Sequence, residues 1–348
     1  MKRLAAIFLF PVAALAQNPR VMLVMHGGAG TITRQSMTPD REKQYREAME
    51  QALRTGQTIL MKGGSSIDAV EASIRVLEDS PLFNAGKGAV FTHEGRNELD
   101  ASIMDGKAKK AGAVAGVTII KNPISAARAV MEKSPHVMMA GHGAELFATQ
   151  VGLEIVDPSY FWTERRWKEL QQELMKDHAS VIPSREDGEG SLAQVRRGSL
   201  PLAALGVGMT EHGTVGAVAL DQNGNLAAGT STGGTSNKRF GRIGDSPIIG
   251  AGTYAENESV AVSCTGTGEY FIRWTVAHDI AALYKYRGMT AEQAGNEVIN
   301  HKLKDANGDG GAIILDGKGN FSMPFNTEGM YRGWIGADGV PHVLIYKD

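Results

Sequence analysis

The central feature of this chain of 348 residues is predicted by one stretch, His212-Gly213-Thr214-Val215-Gly216-Ala217-Val218-Ala219-Leu220-Asp221. Its second half, Val215–Leu220, is an uncharged apolar run of strand length, which is typical of a strand covered on both faces. Thr214 stands at the entrance to this run, directly after Gly213, whose backbone can adopt angles that are closed to other residues. Because a rigid strand holds the residue at its end in place, we predict a buried strand that presents one threonine hydroxyl.

The chemistry of Thr214 leads to the hypothesis that the chain cuts itself between Gly213 and Thr214. A threonine hydroxyl is a poor nucleophile until a base takes its proton. An α-amino group, with a reference pKa of about 7.7–8.0, suits that task better than a lysine. At a new amino terminus the amine and the hydroxyl belong to one residue, a known form of the nucleophile–base pair. The alternative is that Gly-Thr-Val is ordinary strand sequence.

A second stretch, Gly229–Pro247, follows the hairpin turn Asp221–Asn225 and is rich in hydroxyl, glycine and charged residues. Together the two stretches resemble the plant-type asparaginase and isoaspartyl peptidase family of N-terminal-nucleophile hydrolases. The resemblance extends in order from about residue 21 to residue 333. It rests on these motifs: His212-Gly213-Thr214-Val215-Gly216, Thr230-Ser231-Thr232-Gly233-Gly234, Gly241-Arg242-Ile243-Gly244-Asp245-Ser246-Pro247, Cys264-Thr265-Gly266-Thr267-Gly268-Glu269, Pro81-Leu82-Phe83-Asn84-Ala85-Gly86 and Pro324-Phe325-Asn326-Thr327-Glu328-Gly329-Met330.

The resemblance implies an α/β fold of the α+β type, the four-layer αββα sandwich of N-terminal-nucleophile hydrolases. Buried strands with helix pairs between them also fit two stacked sheets flanked by helices. After self-cleavage, residues 17–213 would form an α subunit and residues 214–348 a β subunit of one globular domain. Residues 179–213 are predicted to be a mobile linker, because the stretch loses periodicity and carries glycine, serine and mixed charge. We expect a homo-oligomer, a dimer of such α–β units.

The resemblance also implies a role for each site residue in the hydrolysis of asparagine and isoaspartyl dipeptides. Thr214 would be the nucleophile, Thr232 would orient it and Asn84 would lie close to it. Thr265 and the Gly266 N–H would hold the oxyanion, usually the largest electrostatic contribution in acyl transfer. Arg242 would bind the substrate α-carboxylate with its planar fork, and Asp245 the α-ammonium. The other substrate-binding positions would be Ile243, Gly244, Thr267 and Gly268, beside Thr265 and Gly266 themselves.

No cofactor is required for this chemistry, but the resemblance implies a possible structural sodium ion. Backbone carbonyls would hold it, so no side-chain pattern can indicate it. The matching positions are Leu77, Glu78, Ser80, Phe83, Ala85 and Lys87. For Asn84, inside this loop, the alternative is an ordinary turn asparagine. For Arg242 and Asp245 the alternative is a surface ion pair, and for Thr265–Gly268 a plain turn.

The start of the chain indicates an exported protein, and its net charge bears on its partners. Met1-Lys2-Arg3 is basic, Leu4–Ala16 is apolar and ends in small residues, so residues 1–16 have the layout of a secretory signal peptide. Its removal would leave the rest in the periplasm or outside the cell. A net charge of -2 predicts no nucleic-acid partner, and no membrane after signal removal. The single Cys264 allows no internal disulfide and reads as a small buried residue.

Two motifs point to other functions. Gly229-Thr230-Ser231-Thr232-Gly233 satisfies the nucleophile-elbow pattern of lipases and esterases, but that pattern needs a helix after the serine. Glycines and Pro247 break any helical period there. Asp305-Ala306-Asn307-Gly308-Asp309-Gly310 with Asp316 fits the start of a calcium loop, yet a strand rather than a helix is predicted to follow.

Two more candidate functions remain. Glycosylasparaginases tend to carry asparagine where this chain has Gly233, so the Gly-Gly form favours the isoaspartyl peptidases. A non-enzymatic periplasmic amino-acid binding protein would keep the signal peptide and the Arg242/Asp245 pair, but its chain would stay uncut.

Several local predictions can be compared with the structure. We predict a first strand over Val21–Met25 with a glycine loop after it, at His26–Gly30. Helices are predicted after the cap Thr38-Pro39-Asp40, over Ser65–Asp79 with a capping-box-like Ser65/Asp68 pair, and over Glu269–Tyr286. Met138–Gly143 is predicted to be a turn. The charged residues of the amphipathic segment that follows Tyr160 are predicted to be solvated: Glu164, Arg165, Arg166, Lys168 and Glu169.

Overall fold

A computed structural model describes residues 21–181 and 213–347. Their strands are β1 (Met22–Gly30), β2 (Leu99–Asp105), β3 (Lys110–Val117), β4 (Met138–Ala140), β5 (Val215–Leu220), β6 (Leu226–Thr232), β7 (Thr253–Ala255), β8 (Val260–Gly266), β9 (Gly310–Asp316), β10 (Phe321–Ser322), β11 (Gly329–Gly336) and β12 (His342–Tyr346). Their α-helices are α1 (Pro39–Met61), α2 (Ser66–Glu78), α3 (Pro123–Lys133), α4 (Gly141–Gln150), α5 (Glu164–Val181), α6 (Gly268–Trp274), α7 (Val276–Arg287) and α8 (Ala291–Asn296). Shorter helical turns are Gly86–Gly88, Pro158–Phe161 and the π-helical Glu297–Leu303.

The strands form two sheets. The larger has the order β12-β11-β1-β5-β6-β2-β3-β4, and the smaller the order β10-β9-β8-β7. The predicted strand Val215–Leu220 is β5, fully buried and placed between β1 and β6 near the middle of the larger sheet. It therefore presents one face to each of two covering layers, which explains its unbroken apolar sequence.

The two sheets pack face to face, with helices on both outer faces. Strands β1, β5 and β6 contact β8 and β9 of the smaller sheet. Helices α1, α2 and α3 pack on the larger sheet, whereas α7 and α8 cover the smaller one. The resulting four layers confirm the predicted αββα arrangement. The apolar core is correspondingly divided into one cluster below α1–α3 and another around the smaller sheet.

Local capping explains where the first two helices begin. The Thr38 side chain accepts a hydrogen bond from the Arg41 N–H, and Pro39 opens α1. In α2 the predicted capping box is present, because Ser65 and Asp68 satisfy each other's backbone N–H groups. Both cap predictions are confirmed.

Three local predictions were wrong, and one strand was not predicted. His26–Gly30 continues β1 instead of forming a loop, because a bulge between His26 and Gly28 lets the glycines pair with β11. The predicted turn Met138–Gly143 contains β4 and the start of α4. The predicted helix Glu269–Tyr286 is broken at Thr275, whose φ of 45° is left-handed. Strand β2 was not predicted, because its acidic and hydroxyl residues are not typical of a buried strand, although the strand is buried almost throughout.

Some predictions fall outside the described residues. These are the signal peptide of residues 1–16 and nearly all of the linker, whose first three residues lie in α5. Within residues 21–181 and 213–347, no helix combines the length and the apolar character that a membrane span needs.

Candidate active site

Thr214 lies at the entrance to β5, between the two sheets. Its side chain is nearly buried, and its hydroxyl donates a 3.0 Å hydrogen bond to Thr232 Oγ1. Thr232 ends the neighbouring strand β6, and the same oxygen accepts a second hydrogen bond, of 3.0 Å, from the Gly234 N–H. The strand pairing of β5 with β6 therefore brings together two hydroxyls that are separated by 18 positions in the chain.

Asn84 lies against the peptide that precedes Thr214. Its backbone N–H donates 3.1 Å to the carbonyl oxygen of Gly213. Its side chain donates 2.7 Å to the Gly234 carbonyl and accepts 2.9 Å from the Val90 N–H. Asn84 thus holds both the Gly213–Thr214 junction and the turn after Thr232. A Cβ at Gly213 would lie 2.5 Å from the Asn84 Cβ, so this junction requires glycine.

The turn after β6 connects Thr232 with the loop that carries Lys238 and Arg242. A Cβ at Gly233 would lie 2.5 Å from the Asn84 side-chain oxygen. Gly234 has a left-handed φ of 79°, and a Cβ there would stand 3.2 Å from Lys238 Nζ and 3.5 Å from Arg242 Nη1. The two glycines therefore let the loop with Arg242 come close to the Thr232 end of β6.

The guanidinium of Arg242 fits into a space left by two further glycines. A Cβ at Gly244 would lie 2.8 Å from Nη1, and a Cβ at Gly268 would lie 2.8 Å from Nη2. The same Cβ at Gly268 would stand 3.0 Å from the Asp245 backbone nitrogen. Ile243 is 38% exposed beside them. The predicted substrate-binding positions 242–245 and 268 are therefore neighbours in space.

Two carboxylates near this loop have different environments. Glu269 accepts from Arg242 Nε at 2.9 Å and from Nη2 at 2.8 Å, a bidentate ion pair near the surface. Asp245 is buried, and its Oδ2 has no hydrogen-bond partner among the described residues. Burial raises the pKa of Asp245 to about 7. The arginine fork is thus oriented by Glu269, whereas one buried Asp245 oxygen stays unpaired among the described residues.

Two more buried charges lie behind this loop. Lys238 donates 3.0 Å to the Glu98 carbonyl, and burial lowers its pKa. Asp100 pairs in register with Thr232, and burial raises the pKa of its carboxyl. Its Oδ1 accepts 2.8 Å from the Gly116 N–H. The end of β6 therefore stands beside a cation and an acid that are both screened from water.

Thr265 and Gly266 form the end of β8, the strand that packs on β5 and β6. Thr265 is two residues from Ser263 and therefore shares its face of the strand. That face looks toward the larger sheet, since the Ser263 hydroxyl lies 2.7 Å from Thr230 Oγ1. Thr267 has turned toward Asp309, with which its hydroxyl and its N–H form hydrogen bonds.

The last turn of α2 and the loop after it carry the six carbonyls predicted to hold sodium, and the loop also carries Asn84. It folds tightly: the Leu77 carbonyl accepts from the Ser80 N–H, and the Ala85 carbonyl from the Gly88 N–H. Cβ atoms at Gly86 and Gly88 would overlap the carbonyl oxygens of Glu78 and Phe83.

Helix α5 fixes this loop from outside. Arg165 donates 2.8 Å to the Leu82 carbonyl, and the buried Arg166 donates 3.0 Å to the Gly88 carbonyl. The expectation that the whole charged face of this helix is solvated was therefore wrong. Arginine side chains find carbonyl acceptors that the sequence pattern does not show.

The sequence interpretation missed two residues of the site. The first is Glu269, which directly follows the glycine that accommodates Arg242; an acid in that position is a usable signal for an arginine partner. The second is His26, buried in β1, whose Nδ1 lies 3.0 Å from the carbonyl oxygen of Thr214. The sequence predicts a loop at this position, and no local pattern indicates a contact with a residue as distant in the chain as Thr214.

The structure also bears on the two competing motifs. Ser231, the elbow serine, is buried on the opposite face of β6 and donates 2.6 Å to Glu78 Oε1. A turn rather than a helix follows it. Asp316 ends strand β9, and its carboxylate accepts from the N–H groups of Lys318 and Asn320. No group of metal-ligating side chains is found within the described residues.

Comparison with known proteins gives a consistent result. A family model described as asparaginase matches residues 19–345. The isoaspartyl peptidase of Escherichia coli K12 is 49% identical over 94% of this chain and 97% of its own length. A putative isoaspartyl peptidase/L-asparaginase of Dictyostelium discoideum is 48% identical over 95% of this chain and 100% of its own. The plant-type L-asparaginase of Pyrococcus abyssi is 42% identical over 89% and 94%.

Proposed function

Because this chain belongs to the asparaginase family, we propose that it hydrolyses isoaspartyl dipeptides and L-asparagine, releasing L-aspartate. The observation that carries this proposal is the contact of the Thr214 hydroxyl with Thr232, beside a junction whose carbonyl is held by Asn84. The names of the relatives favour this function over a glycosylasparaginase and over a binding protein.

Self-cleavage is the first step. The Thr214 hydroxyl loses its proton as its oxygen attacks the Gly213 carbonyl carbon. The C–N bond then breaks, and the nitrogen takes up that proton. Water then hydrolyses the resulting ester, leaving a Gly213 carboxylate and a free Thr214 amine. The Asn84 N–H, at 3.1 Å from the Gly213 oxygen, stabilises the negative charge that develops there.

In turnover the same hydroxyl attacks the substrate side-chain amide. The freed amine takes the hydroxyl proton and returns it to the leaving amine. Thr232 orients the Thr214 hydroxyl, because Thr232 Oγ1 accepts from that hydroxyl and is itself held by the Gly234 N–H. Thr265 and the Gly266 N–H hold the oxyanion, and water releases aspartate from the acyl-enzyme.

The aspartyl head group is recognised by charge. Arg242 is held by Glu269 through Nε and Nη2, and its remaining N–H groups bind the substrate α-carboxylate. The buried Asp245 oxygen, which has no partner in the part of the chain that the structure describes, accepts from the α-ammonium. A zwitterionic head group satisfies both.

A sodium ion held by backbone carbonyls between Leu77, in the last turn of α2, and Lys87 remains part of the proposal. Each carbonyl oxygen has two lone pairs, so those that accept one N–H keep capacity for a cation. The ion would stiffen the loop that carries Asn84 and would supply no chemistry. Export through the signal peptide and assembly into a dimer of α–β units are likewise proposed.

The test compares release of aspartate from isoaspartyl dipeptides, from asparagine and from N4-(β-N-acetylglucosaminyl)-asparagine by purified protein. We expect hydrolysis of the first two and a small fragment whose sequence begins Thr-Val-Gly. An active enzyme with an intact Gly213–Thr214 bond would overturn the mechanism, and preference for the glycosylated substrate would overturn the specificity.

A further inference from the structure

A row of buried polar side chains crosses the interface between the two sheets and ends at Thr214. All its members are inaccessible to water, although the strands around them are apolar. Two sheets contribute to the row, so no single strand could form it. Its members are His26 on β1, Ser263 on β8, Thr230 on β6, Thr253 on β7 and Ser102 on β2.

Consecutive members are hydrogen-bonded. His26 Nε2 lies 2.9 Å from Ser263 Oγ, which lies 2.7 Å from Thr230 Oγ1. Thr253 donates 2.5 Å to Thr230, and Ser102 lies 2.8 Å from Thr253. At the other end, His26 Nδ1 lies 3.0 Å from the carbonyl oxygen of Thr214.

The donors in this row can be assigned from chemistry. Burial lowers the pKa of His26 to about 3, so the ring is neutral and carries one proton. The Thr214 carbonyl can only accept, so that proton is on Nδ1 and Nε2 must accept from the Ser263 hydroxyl. Ser263 has then used its proton and accepts from Thr230, which in turn accepts from Thr253. Ser263, Thr230 and Thr253 therefore donate toward His26, although the Gly252 carbonyl lies 3.1 Å from Thr230 Oγ1 as a second acceptor. At the far end of the row, Ser102 donates 2.6 Å to the Ser246 carbonyl as well as facing Thr253. The Thr214 carbonyl and the Ser263 hydroxyl together fix one tautomer of the ring.

The space for this arrangement is kept free by Gly216. This residue pairs with His26 across β1 and β5. A Cβ on Gly216 would overlap both Ser263 Oγ and His26 Nε2. Any side chain at position 216 would therefore separate the histidine from the serine that sets its tautomer.

We propose that His26 is a positioning residue for the nucleophile, holding the Thr214 carbonyl while the hydroxyl row holds the ring. This inference rests on the proposed function of Thr214. Self-cleavage removes the covalent link on the amino side of Thr214, and chain ends fray unless they are tied down. Thr232 then holds the hydroxyl and His26 holds the carbonyl, so the residue keeps the orientation in which its amine faces its own oxygen.

The first test is a rescue experiment on the full chain. His26→Leu removes the donor to Thr214, whereas His26→Asn places an amide N–H where Nδ1 stood. We expect kcat per cleaved molecule to fall about 10–100-fold in the leucine variant, as for small misplacements of a reacting group. KM should be unchanged, and the asparagine variant should recover most of kcat. If the leucine variant is cleaved too slowly to assay, recovery of the cleavage rate by the asparagine variant is the readout.

A pair of serines on or beside β8 supplies the matched control. Ser263→Ala breaks the row next to His26, whereas Ser259→Ala removes an equally buried hydroxyl that donates 2.8 Å to the Ala281 carbonyl. We expect a several-fold loss of kcat only in Ser263→Ala. Equal losses in both serine variants, a change in KM instead of kcat, or an asparagine variant no better than the leucine variant would each overturn the proposal.

A second measurement does not depend on activity. Among the nine histidines, one should show the neutral Nδ1–H tautomer in nitrogen-15 spectra and keep it well below pH 6. Its signal should vanish in His26→Asn and shift in Ser263→Ala but not in Ser259→Ala. An Nε2–H tautomer, or titration near pH 6.5, would contradict the assignment. An inactive wild-type protein with the expected spectrum would refute the proposed function and the positioning role, leaving only the hydrogen-bonded row.

Discussion

The two ends of the proposed active site are built in opposite ways. At the Thr214 end, hydroxyls, carbonyls and amide groups are already paired with one another: Thr214 with Thr232, and Gly213 with Asn84. At the Arg242 end, the groups are charged and the pairing is incomplete. Arg242 is bound on one side by Glu269, while the buried Asp245 has an oxygen without a partner among the described residues.

This difference fits the role that we propose for each end. A nucleophile gains from preorganisation, because a group that is already oriented costs nothing to orient in the transition state. A recognition site must leave groups unpaired, since a substrate that satisfies a buried charge is selected over one that does not. The cost appears in Asp245, whose raised pKa reports the penalty of burying its charge.

The largest expected effect is at the nucleophile. Thr214→Ala should block self-cleavage and, when the two fragments are expressed separately with alanine at position 214, reduce turnover by at least about 10⁴-fold. Gel analysis and aspartate release measure the two effects. The matching fragments with threonine serve as control.

Two outcomes would change the assignment of the nucleophile. Thr214→Ser keeps the hydroxyl but loses the methyl group that restricts χ1, so it should still cleave itself and retain reduced turnover. If the assembled alanine protein hydrolysed isoaspartyl dipeptides, the nucleophile would lie elsewhere, and Ser231 would be examined first.

A smaller effect is expected at the recognition end. Arg242→Lys keeps the charge but loses the fork. Loss of one charge-assisted hydrogen bond, about 1.5–3 kcal/mol, should raise KM by roughly 10–100-fold while leaving self-cleavage intact. Steady-state kinetics and a gel check both statements. A variant that turns over normally but is not cleaved would mean that Arg242 is structural.

Asp245 should make both binding and stability depend on pH. Its carboxylate form binds the α-ammonium, so kcat/KM should fall as pH drops through about 7. Protonation of the Thr214 amine, which must be neutral to act as the base, lowers kcat/KM further, so two protons contribute to the decrease. Asp245→Asn should bind more weakly, with KM up by roughly 10-fold, and should leave a one-proton dependence. If kcat/KM of the variant still depended on two protons at low pH, Asp245 would be excluded as one of the titrating groups.

The stability effect has the opposite sign. The folded pKa of Asp245 lies above its ordinary 3.8, so the folded state binds more protons than the unfolded state between about pH 4 and 7. Stability is therefore lost as pH rises through this window. In Asp245→Asn, this decrease in the free energy of unfolding, on the order of 2–4 kcal/mol, should be absent. Denaturant unfolding at pH 5 and pH 8 measures it, and equal pH dependence in both proteins would contradict the assignment.

The smallest effect is expected at Glu269. Its ion pair with Arg242 is partly exposed, with 57% of the glutamate side chain accessible, and such pairs contribute about 0.2–1 kcal/mol. Glu269→Gln should therefore raise KM only two- to five-fold and leave kcat unchanged. A fall in KM would show instead that Glu269 competes with the substrate carboxylate.

Much of the molecule could be predicted from local sequence. The apolar run Val215–Leu220 predicted β5, and the capping residues Thr38 and Ser65 predicted where α1 and α2 begin. These features depend on neighbours in the chain, so periodicity and side-chain capping are sufficient to determine them. The motifs around Thr214, Thr232 and Arg242 also predicted which residues lie together.

Contacts between distant segments could be decided only by the tertiary structure. His26 is 188 positions from Thr214 and 237 from Ser263, and only the pairing of β1 with β5 and the stacking of the two sheets bring them together. Strand β2 contains the polar residues Asp100 and Ser102, which the sequence does not mark as buried. They can be buried because groups elsewhere in the chain form hydrogen bonds with them. A sequence records which side chains can donate or accept, but the fold decides which of them are buried together and must therefore pair.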